Sequence, residues 1–396
     1  MLDRMTKLFK ENTPFKALFL SITISGLGYG IYKGLIDNYL AEIVTMGEFD
    51  RGLVEFFREI PGLMLVFILA LLYQMSAEKL YKLGAVIMLL GMAMLSIVPP
   101  GKVLVTVAIC MHSLGEHIQL GMKNTLTLEY SKPGLGGQAL GYQSAVSQVG
   151  TLLGYLVVIV AFFVLKDSQP FRLFFMFAAV FLLVSMLYSF RITGNSETDK
   201  SKNRFYFRKK FTKYYMLEVF YGARKQVFFT FGPYVLILFY KASASVISIL
   251  FAISAVCCYF LAPVVGRIID RLGYKIVMVS ATLILVIVCF FYGFAHRLFP
   301  MHIAFIVCCI NYILDSIISL ASMASNVYVQ DISDSPEETK ATISTGISVN
   351  HLITVLIALF GGWIWQTLGI ETLFICSAVL GLMNSAYAMT IRKKEA

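Results

Sequence analysis

The sequence predicts an all-α integral membrane protein with twelve transmembrane helices. Of the 396 residues, 58% are hydrophobic and only 14% are charged. A soluble domain carries about 25% charged residues, so lipid must cover much of this surface. Apolar runs such as 149–165 and 276–292 reach, with their flanks, the ~20 residues that cross ~30 Å of hydrocarbon as a helix.

Polar or Pro/Gly breaks, for example at 99–101 and 167–170, separate these runs. We expect spans at about 15–41, 51–75, 81–98, 102–126, 138–165, 170–190, 213–239, 243–265, 275–295, 300–328, 341–367 and 370–391. Residues 191–212 are polar and rich in Ser, Asn and Lys, which is typical of a linker. The predicted organisation is therefore an N-terminal six-helix bundle (1–190), a basic linker (191–212) and a C-terminal six-helix bundle (213–396).

The net charge of +10 would favour nucleic-acid binding in a soluble protein. Membrane proteins, however, concentrate Lys and Arg in their cytoplasmic loops. The basic residues here fall mainly in the termini, the linker and the loops on the same side. We expect both termini to be cytoplasmic, in a plasma membrane of the bacterial inner-membrane type, with no nucleic-acid partner. The run Arg208-Lys209-Lys210 should lie on the anionic inner leaflet.

The cysteines and the loops offer no sign of a catalytic or metal centre. All seven cysteines lie in apolar runs without the C-x-x-C spacing of metal sites. No loop holds an evident nucleophile–base pair or a Walker motif. We therefore expect no cofactor and no enzymatic activity.

A weak internal repeat relates the two halves. Residues 29–33 (YGIYK) match 221–225 (YGARK), and at the same ungapped spacing 78–80 (EKL) matches 270–272 (DRL). Such repeats are common in transporters. They predict that span one corresponds to span seven, and the loop after span two to the loop after span eight.

The loop after span eight reads GRIIDRLGYK. It resembles the G-x-x-x-D-R-x-G-R-K signature of the major facilitator superfamily and departs from it only at Tyr274. The matching residues are Gly266, Arg267, Asp270, Arg271, Gly273 and Lys275. The N-terminal copy keeps Glu78 and Lys79 but has lost both glycines. Together with the span count, linker and repeat, the resemblance covers the whole chain.

The resemblance implies two six-helix bundles around a central cavity that opens alternately to each side, in a protein that works as a monomer. It also implies that the signature residues close the cytoplasmic side. The alternative is a plain surface salt bridge, worth ~0–1 kcal/mol. In span five, Gly141, Gly150 and Gly154 are similar to part of the family's antiporter motif, although Tyr155 stands where the family has Pro. Close helix packing through small residues is the favoured interpretation of these glycines.

Polar residues within the spans predict a substrate cavity. A charge at the bilayer centre costs ~2.5–3.5 kcal/mol, so such residues usually line a pathway. The candidate cavity residues are Tyr29, Lys33, Tyr221, Arg224, Lys225, Asn311, Asn350 and His351. Cations in both halves favour an anionic or carboxylate-bearing substrate. Alternatively, these cations pair with Asp315, Glu116 or Glu218 and leave the cavity near neutral.

Span four carries the candidate proton site. His112 and Glu116 are one turn apart and His117 follows. A partly desolvated carboxylate beside imidazoles can titrate near neutral pH, as a proton carrier must. Asp315 and Asp37 are further candidates. One alternative is a His–Glu packing pair. Another is a metal site, although one helix face offers only one His and one carboxylate as ligands.

Charges in the first half of span two predict an outer gate. Glu55, Arg58 and Glu59 share one helix face, at a depth similar to Lys33 and Asp37 in span one. A salt-bridge network among them would close the outer side and bind substrate charge. A static structural network is equally consistent with the sequence.

These patterns predict a proton-coupled secondary transporter of a small organic solute. A proton-driven exporter working by antiport is the first alternative. A receptor or scaffold that has lost transport is a distant one, because a scaffold gains little from charges buried in lipid.

Overall fold

The computed structural model describes residues 7–72, 74–165, 170–193 and 207–391. The described residues form twelve long helices. The first six are α1 (Phe15–Ile43), α2 (Glu48–Leu71), α3 (Ala77–Ile97), α4 (Lys102–Tyr130), α5 (Gly136–Val164) and α6 (Phe171–Phe190). The second six are α7 (Thr212–Tyr240), α8 (Ala244–Leu272), α9 (Tyr274–Leu298), α10 (Met301–Ile332), α11 (Pro336–Leu368) and α12 (Ile370–Met389).

The membrane assignment follows from these helices. Ten of the twelve are long and apolar enough to cross a bilayer within the described residues. The other two, α2 and α7, carry the charged clusters discussed below. Two helices are locally irregular, because the last turn of α1 (Tyr39–Ile43) is a π-helix and α10 passes through a 3₁₀ turn at Ser319–Ser322. Most of the expected linker, residues 194–206, lies outside the described residues.

The chain divides into two compact units. Unit 1 comprises Met1–Val44, Ile60–Ser201 and Ser243–Ala252, and unit 2 comprises Thr45–Glu59, Lys202–Ala242 and Ile253–Ala396. In unit 1, α1 packs on α5 and α6, and α3 packs on α4 and α6. In unit 2, α7 packs on α11 and α12, and α9 packs on α10 and α12. The same helix pairs recur six helices later, which confirms the predicted fold of two pseudo-symmetric helical bundles.

Glycines bring α1 and α5 into backbone contact. A Cβ atom at Gly154 would lie 2.7 Å from the Gly30 Cα, and one at Gly150 would lie 3.1 Å from the Leu27 amide nitrogen. Only glycine permits this approach. Gly141, by contrast, faces open space. The glycine pattern of α5 therefore serves helix packing at two of its three positions.

The end of the linker pairs with the α10–α11 loop and with the first turn of α11. Lys210 Nζ lies 2.6 Å from Asp334 and 3.2 Å from Glu338, and Arg208 lies 3.7 Å from Glu338. The hydrogen bond to Asp334 raises the pKa of Lys210 above its usual value. Two of the three cations expected on the lipid headgroups are thus engaged by carboxylates of the protein, which the loop sequence alone did not indicate.

Candidate transport site

The first half of α2 carries a buried ion network. One helix face presents Arg51, Glu55, Arg58 and Glu59. Glu55 accepts from Arg51 at 2.9 Å and from Arg58 at 2.6 Å, and Arg58 also pairs with Glu59. Both glutamates are at most 5% exposed. Two cations and two anions balance, so the network is neutral.

Helices α7 and α11 complete this network within unit 2. Gln226 Nε2 of α7 donates to Glu55 at 3.1 Å. From α11, His351 Nδ1 lies 2.9 Å from a Glu59 carboxylate oxygen, and the Thr354 hydroxyl donates to the same oxygen at 3.3 Å. Removing one partner from a buried ion pair costs about 3–5 kcal/mol because the other charge is left uncompensated. The three helices are therefore held together through the α2 carboxylates.

A second buried ion pair joins α7 to α10. Arg224 Nη1 donates to Asp315 at 2.9 Å, and both residues are at most 6% exposed. The guanidinium stacks over the Tyr221 ring, 5.0 Å from its centroid. The Tyr221 hydroxyl donates to the Ser319 carbonyl at 3.1 Å, at the 3₁₀ turn of α10. Arg224 thus pairs with Asp315, as in the alternative in which the cations of the spans are neutralised by carboxylates. Its neighbour Lys225 is exposed.

A small cavity lies beside this ion pair, inside unit 2. Its volume of about 30 Å³ can hold water and is too small for an organic solute. It is lined by Leu217, Tyr221, Arg224, Met278, Ala281, Thr282, Leu285, Ile318, Ala321, Ser322, Ser325 and Asn384. Ser325 donates to Glu218 at 2.9 Å. The Asn350 amide lies 3.4 Å from the same carboxylate.

In unit 1, the charges of α1 pair with each other. Lys33 Nζ lies 3.2 Å from Asp37, as the i,i+4 spacing allows. The ammonium also lies over the Phe251 ring at 5.2 Å, and Tyr29 packs near Tyr32. Both charged residues are buried. The α1 cation is therefore compensated within its own helix.

The polar residues of α4 separate in a way that the sequence did not predict. His112 Nδ1 lies 3.2 Å from the Met88 carbonyl, and its ring packs on Tyr32. His117 Nδ1 lies 2.8 Å from the Ser113 carbonyl. Glu116 is partly exposed, and it makes no hydrogen bond or ion pair with any described residue. Each imidazole directs its Nδ1 towards a backbone carbonyl, which gives that buried nitrogen a hydrogen-bond partner.

The signature residues lie around the α8–α9 connection. Gly273 has φ +83°, a conformation that favours glycine. Lys275 caps α12 by donating to the Met389 and Ile391 carbonyls at 2.6 and 3.2 Å. Arg267, Asp270 and Arg271 are exposed. Among the described residues Asp270 has no ion-pair partner.

Gly266 faces open space in this structure, and its role in closing the cytoplasmic side stays a prediction. One expectation for this region needs correction. Glu78 and Lys79 open α3, whereas Asp270 and Arg271 end α8. The second match of the internal repeat is therefore not structurally equivalent, because the first-half connection is longer. The first match is sound, since Lys33 and Lys225 lie in corresponding helices.

Sequence reasoning missed three members of the α2 network. Arg51, at the predicted boundary of span two, lies within α2 and is only 3% exposed. Its i,i+4 spacing to Glu55 could have identified it. No local signal marks Gln226 and Thr354, since their contacts join distant segments. Asn311, another cavity candidate, is buried, and its amide donates to the Val307 carbonyl of its own helix.

Comparisons with known proteins agree with this architecture. The sequence model of the Major Facilitator Superfamily matches residues 214–396. No curated protein matches the sequence. Among solved structures, the nucleoside transporter NupG is similar at a TM-score of 0.75, with 15% identity over 96% of this chain and 100% of that one.

Two other solved structures are similar in fold. A bacterial homologue of the human lysosomal transporter Spinster has a TM-score of 0.71, with 14% identity over 95% of each chain. A peptide transporter POT bound to sulfate has a TM-score of 0.71, with 14% identity over 95% of this chain and 94% of that one. In the sequence of residues 214–396 and in its twelve-helix fold, the chain is thus similar to membrane transporters of the major facilitator superfamily.

Proposed function

We propose that the protein is a proton-coupled secondary transporter of a small organic solute. The observation that carries the proposal is the contact between His351 and Glu59. An imidazole becomes positively charged when it accepts a proton, and here it joins an otherwise neutral buried network. Adding a proton changes the net charge of that network, so the free energy of holding α2 against α11 depends on pH.

We infer a solute that is close to neutral overall. Lys33, Arg224 and the α2 arginines each have a carboxylate partner, so they leave no excess positive charge. This favours the alternative that the cavity is near neutral. Lys225 is the remaining candidate contact for a carboxylate on the solute. Nucleosides and peptides, the solutes named for the neighbours in fold, belong to the size class that we propose.

We further propose an orientation and two gates. Both termini face the cytoplasm of a bacterial cell, as the distribution of basic residues favours. The α2 network then closes the outer side. The exposed Asp270 and Arg271 close the inner side in a conformation other than this one. The monomer is the working unit.

Flux into proteoliposomes tests the proposal. A thermal-shift screen of metabolites first identifies a stabilising solute, and its uptake is then measured with and without an imposed pH gradient. The gradient should drive accumulation of the solute, and Glu59→Gln should abolish this gradient-dependent accumulation. Glu48→Gln makes the same change at the start of α2, outside the network, and should preserve it. Transport that ignores the gradient would refute proton coupling, and solute movement opposite to the protons would identify an exporter.

A further inference from the structure

Glu218 differs from the other buried carboxylates of the unit 2 helices in its partners. It lies on α7 and is only 9% exposed. Glu55, Glu59 and Asp315 each pair with an arginine, whereas Glu218 makes no ion pair with any described residue. Burying an ionised carboxylate without a counter-ion is costly, and such a group lowers the cost by taking up a proton.

The partners of Glu218 are neutral side chains from two neighbouring helices. Ser325 of α10 lies 2.9 Å from Oε1, and the Asn350 amide of α11 lies 3.4 Å from Oε2. The same amide donates to the Glu218 backbone carbonyl at 3.3 Å. Gly222 makes room for Asn350, because a Cβ atom there would lie 2.7 Å from its amide nitrogen. A hydroxyl both donates and accepts, so Ser325 can serve a carboxylate or a carboxylic acid.

The Ser325 hydroxyl has two acceptors for its single hydrogen. Its Oγ lies 2.9 Å from Glu218 and also 2.9 Å from the Ser322 carbonyl of its own helix. Ser322 ends the 3₁₀ turn of α10, and Tyr221 donates to the Ser319 carbonyl at the start of that turn. A 3₁₀ turn within a helix often marks a functional hinge. The direction of one O–H bond therefore connects Glu218 with this turn.

We propose that Glu218 is a proton-binding site whose protonation state is transmitted to the 3₁₀ turn of α10 by the Ser325 hydroxyl. When Glu218 is ionised, Ser325 donates to its carboxylate. When a proton from water forms an O–H bond at Glu218, this O–H donates to Ser325 Oγ, and the Ser325 O–H turns to the Ser322 carbonyl. Release of the proton to water reverses both changes. The inference rests on the proposed proton coupling and adds a site to the His351–Glu59 contact.

The groups that act on Glu218 electrostatically lie on its own helix. They are Lys225, further along α7, and Tyr214, one turn earlier. The side chains that face Glu218 from α10 and α11 are Ser325 and Asn350, which do not titrate. Ser325 also lines the small cavity, which can hold the water that supplies and accepts the proton. The test leaves Lys225 and Tyr214 unchanged.

Infrared difference spectroscopy on the purified protein tests the proposal. Between about pH 4 and pH 9, the carbonyl band of a protonated acid should appear on acidification, and Glu218→Gln should remove it. A backbone carbonyl signal should titrate together with this band, and ¹³C labelling of the serine carbonyls should shift it. Ser322→Ala keeps the backbone carbonyl but loses the label, so the signal should remain without its isotope shift.

Variants of two α10 hydroxyls separate transmission from protonation. Ser325→Ala should retain the Glu218 band and abolish the serine signal. Ser316→Ala removes a hydroxyl that donates to the Tyr312 carbonyl of its own helix and should retain both. Glu218→Gln, whose amide can donate to Ser325 as a carboxylic acid does, should abolish the pH dependence of the serine signal.

The outcomes distinguish this inference from the proposed function. A Glu218 band that does not change between the two pH limits would overturn the site, even in a protein that transports with a pH gradient. A serine signal that persists in Ser325→Ala would overturn the transmission. Transport that ignores the gradient, in a protein whose Glu218 band and serine signal titrate together, would refute proton-coupled transport and support the link through Ser325.

Discussion

His351 Nδ1 lies 2.9 Å from the carboxylate of Glu59, a residue 292 positions earlier in the chain. This contact connects α2 and α11 within unit 2. Thr354 and Arg58 bind the same carboxyl group. A buried carboxylate with three partners is fully satisfied only while the two helices remain in contact.

Replacing His351 by Gln should flatten the pH dependence of transport. Glutamine can still donate to Glu59, but it cannot accept a proton as an imidazole does. Initial uptake rates measured in proteoliposomes across about pH 5 to 8 check this. Thr354→Val removes a non-titrating donor from the same carboxylate and should lower the rate while leaving the profile curved. An identical profile in His351→Gln and wild type would exclude the imidazole as the sensor.

Breaking the Arg224–Asp315 pair from one side should destabilise the protein strongly. Asp315→Asn leaves a buried guanidinium without its counter-ion, at a cost of about 3–5 kcal/mol. The double variant Arg224→Gln/Asp315→Asn should recover much of this loss because no buried charge remains. Thermal unfolding of the wild type, the two single variants and the double variant in detergent gives the interaction energy of the pair by a double-mutant cycle. Strictly additive losses would mean that the two side chains do not interact.

The glycine contact between α1 and α5 should not accept a side chain. Gly154→Leu places atoms where the Gly30 backbone lies, and overpacking of this kind costs ~1–3 kcal/mol or more. We expect a lower Tm and a smaller yield of monodisperse protein. Gly141→Leu, three turns earlier on the same helix, points into open space and should change stability by less than about 0.5 kcal/mol. An equal Tm and an equal yield of monodisperse protein in the two variants would contradict the packing described for α5.

Asp270 should matter for transport and not for the stability of this conformation. It is exposed and makes no ion pair among the described residues, so Asp270→Asn should alter stability by less than about 0.5 kcal/mol. Its proposed partner contact forms only when the inner side closes, so turnover should fall. Parallel Tm and flux measurements distinguish the two effects. A large loss of Tm with normal flux would assign Asp270 a purely structural role.

The fold was predictable because its causes are local. A lipid bilayer requires an apolar composition, apolar runs of sufficient length and basic cytoplasmic loops. These features predict twelve helices without any knowledge of how the helices pack. Pairs such as Lys33 with Asp37 form as their spacing predicts, since a helix turn brings i and i+4 together.

Long-range partners were not predictable in the same way. Which face of α11 meets α2 depends on the packing of whole helices, so the link from Glu59 to His351 has no signature in either segment. Arg51 was not a candidate because it stands at the predicted boundary of span two, and helix starts are uncertain by a few residues. The equivalence of Glu78 with Asp270 failed because connections of different length interrupt the spacing of the repeat.

The order of synthesis gives the α2 network a further consequence. At ~5–20 residues per second, the ribosome needs roughly 15–60 s to add the 292 residues between Glu59 and His351. During that interval α2 enters the bilayer without its imidazole partner. Until α11 is synthesised, the Glu59 carboxylate of α2 must therefore be stabilised by other groups. Insertion machinery or neighbouring helices would have to shield α2 until the segment that carries His351 emerges.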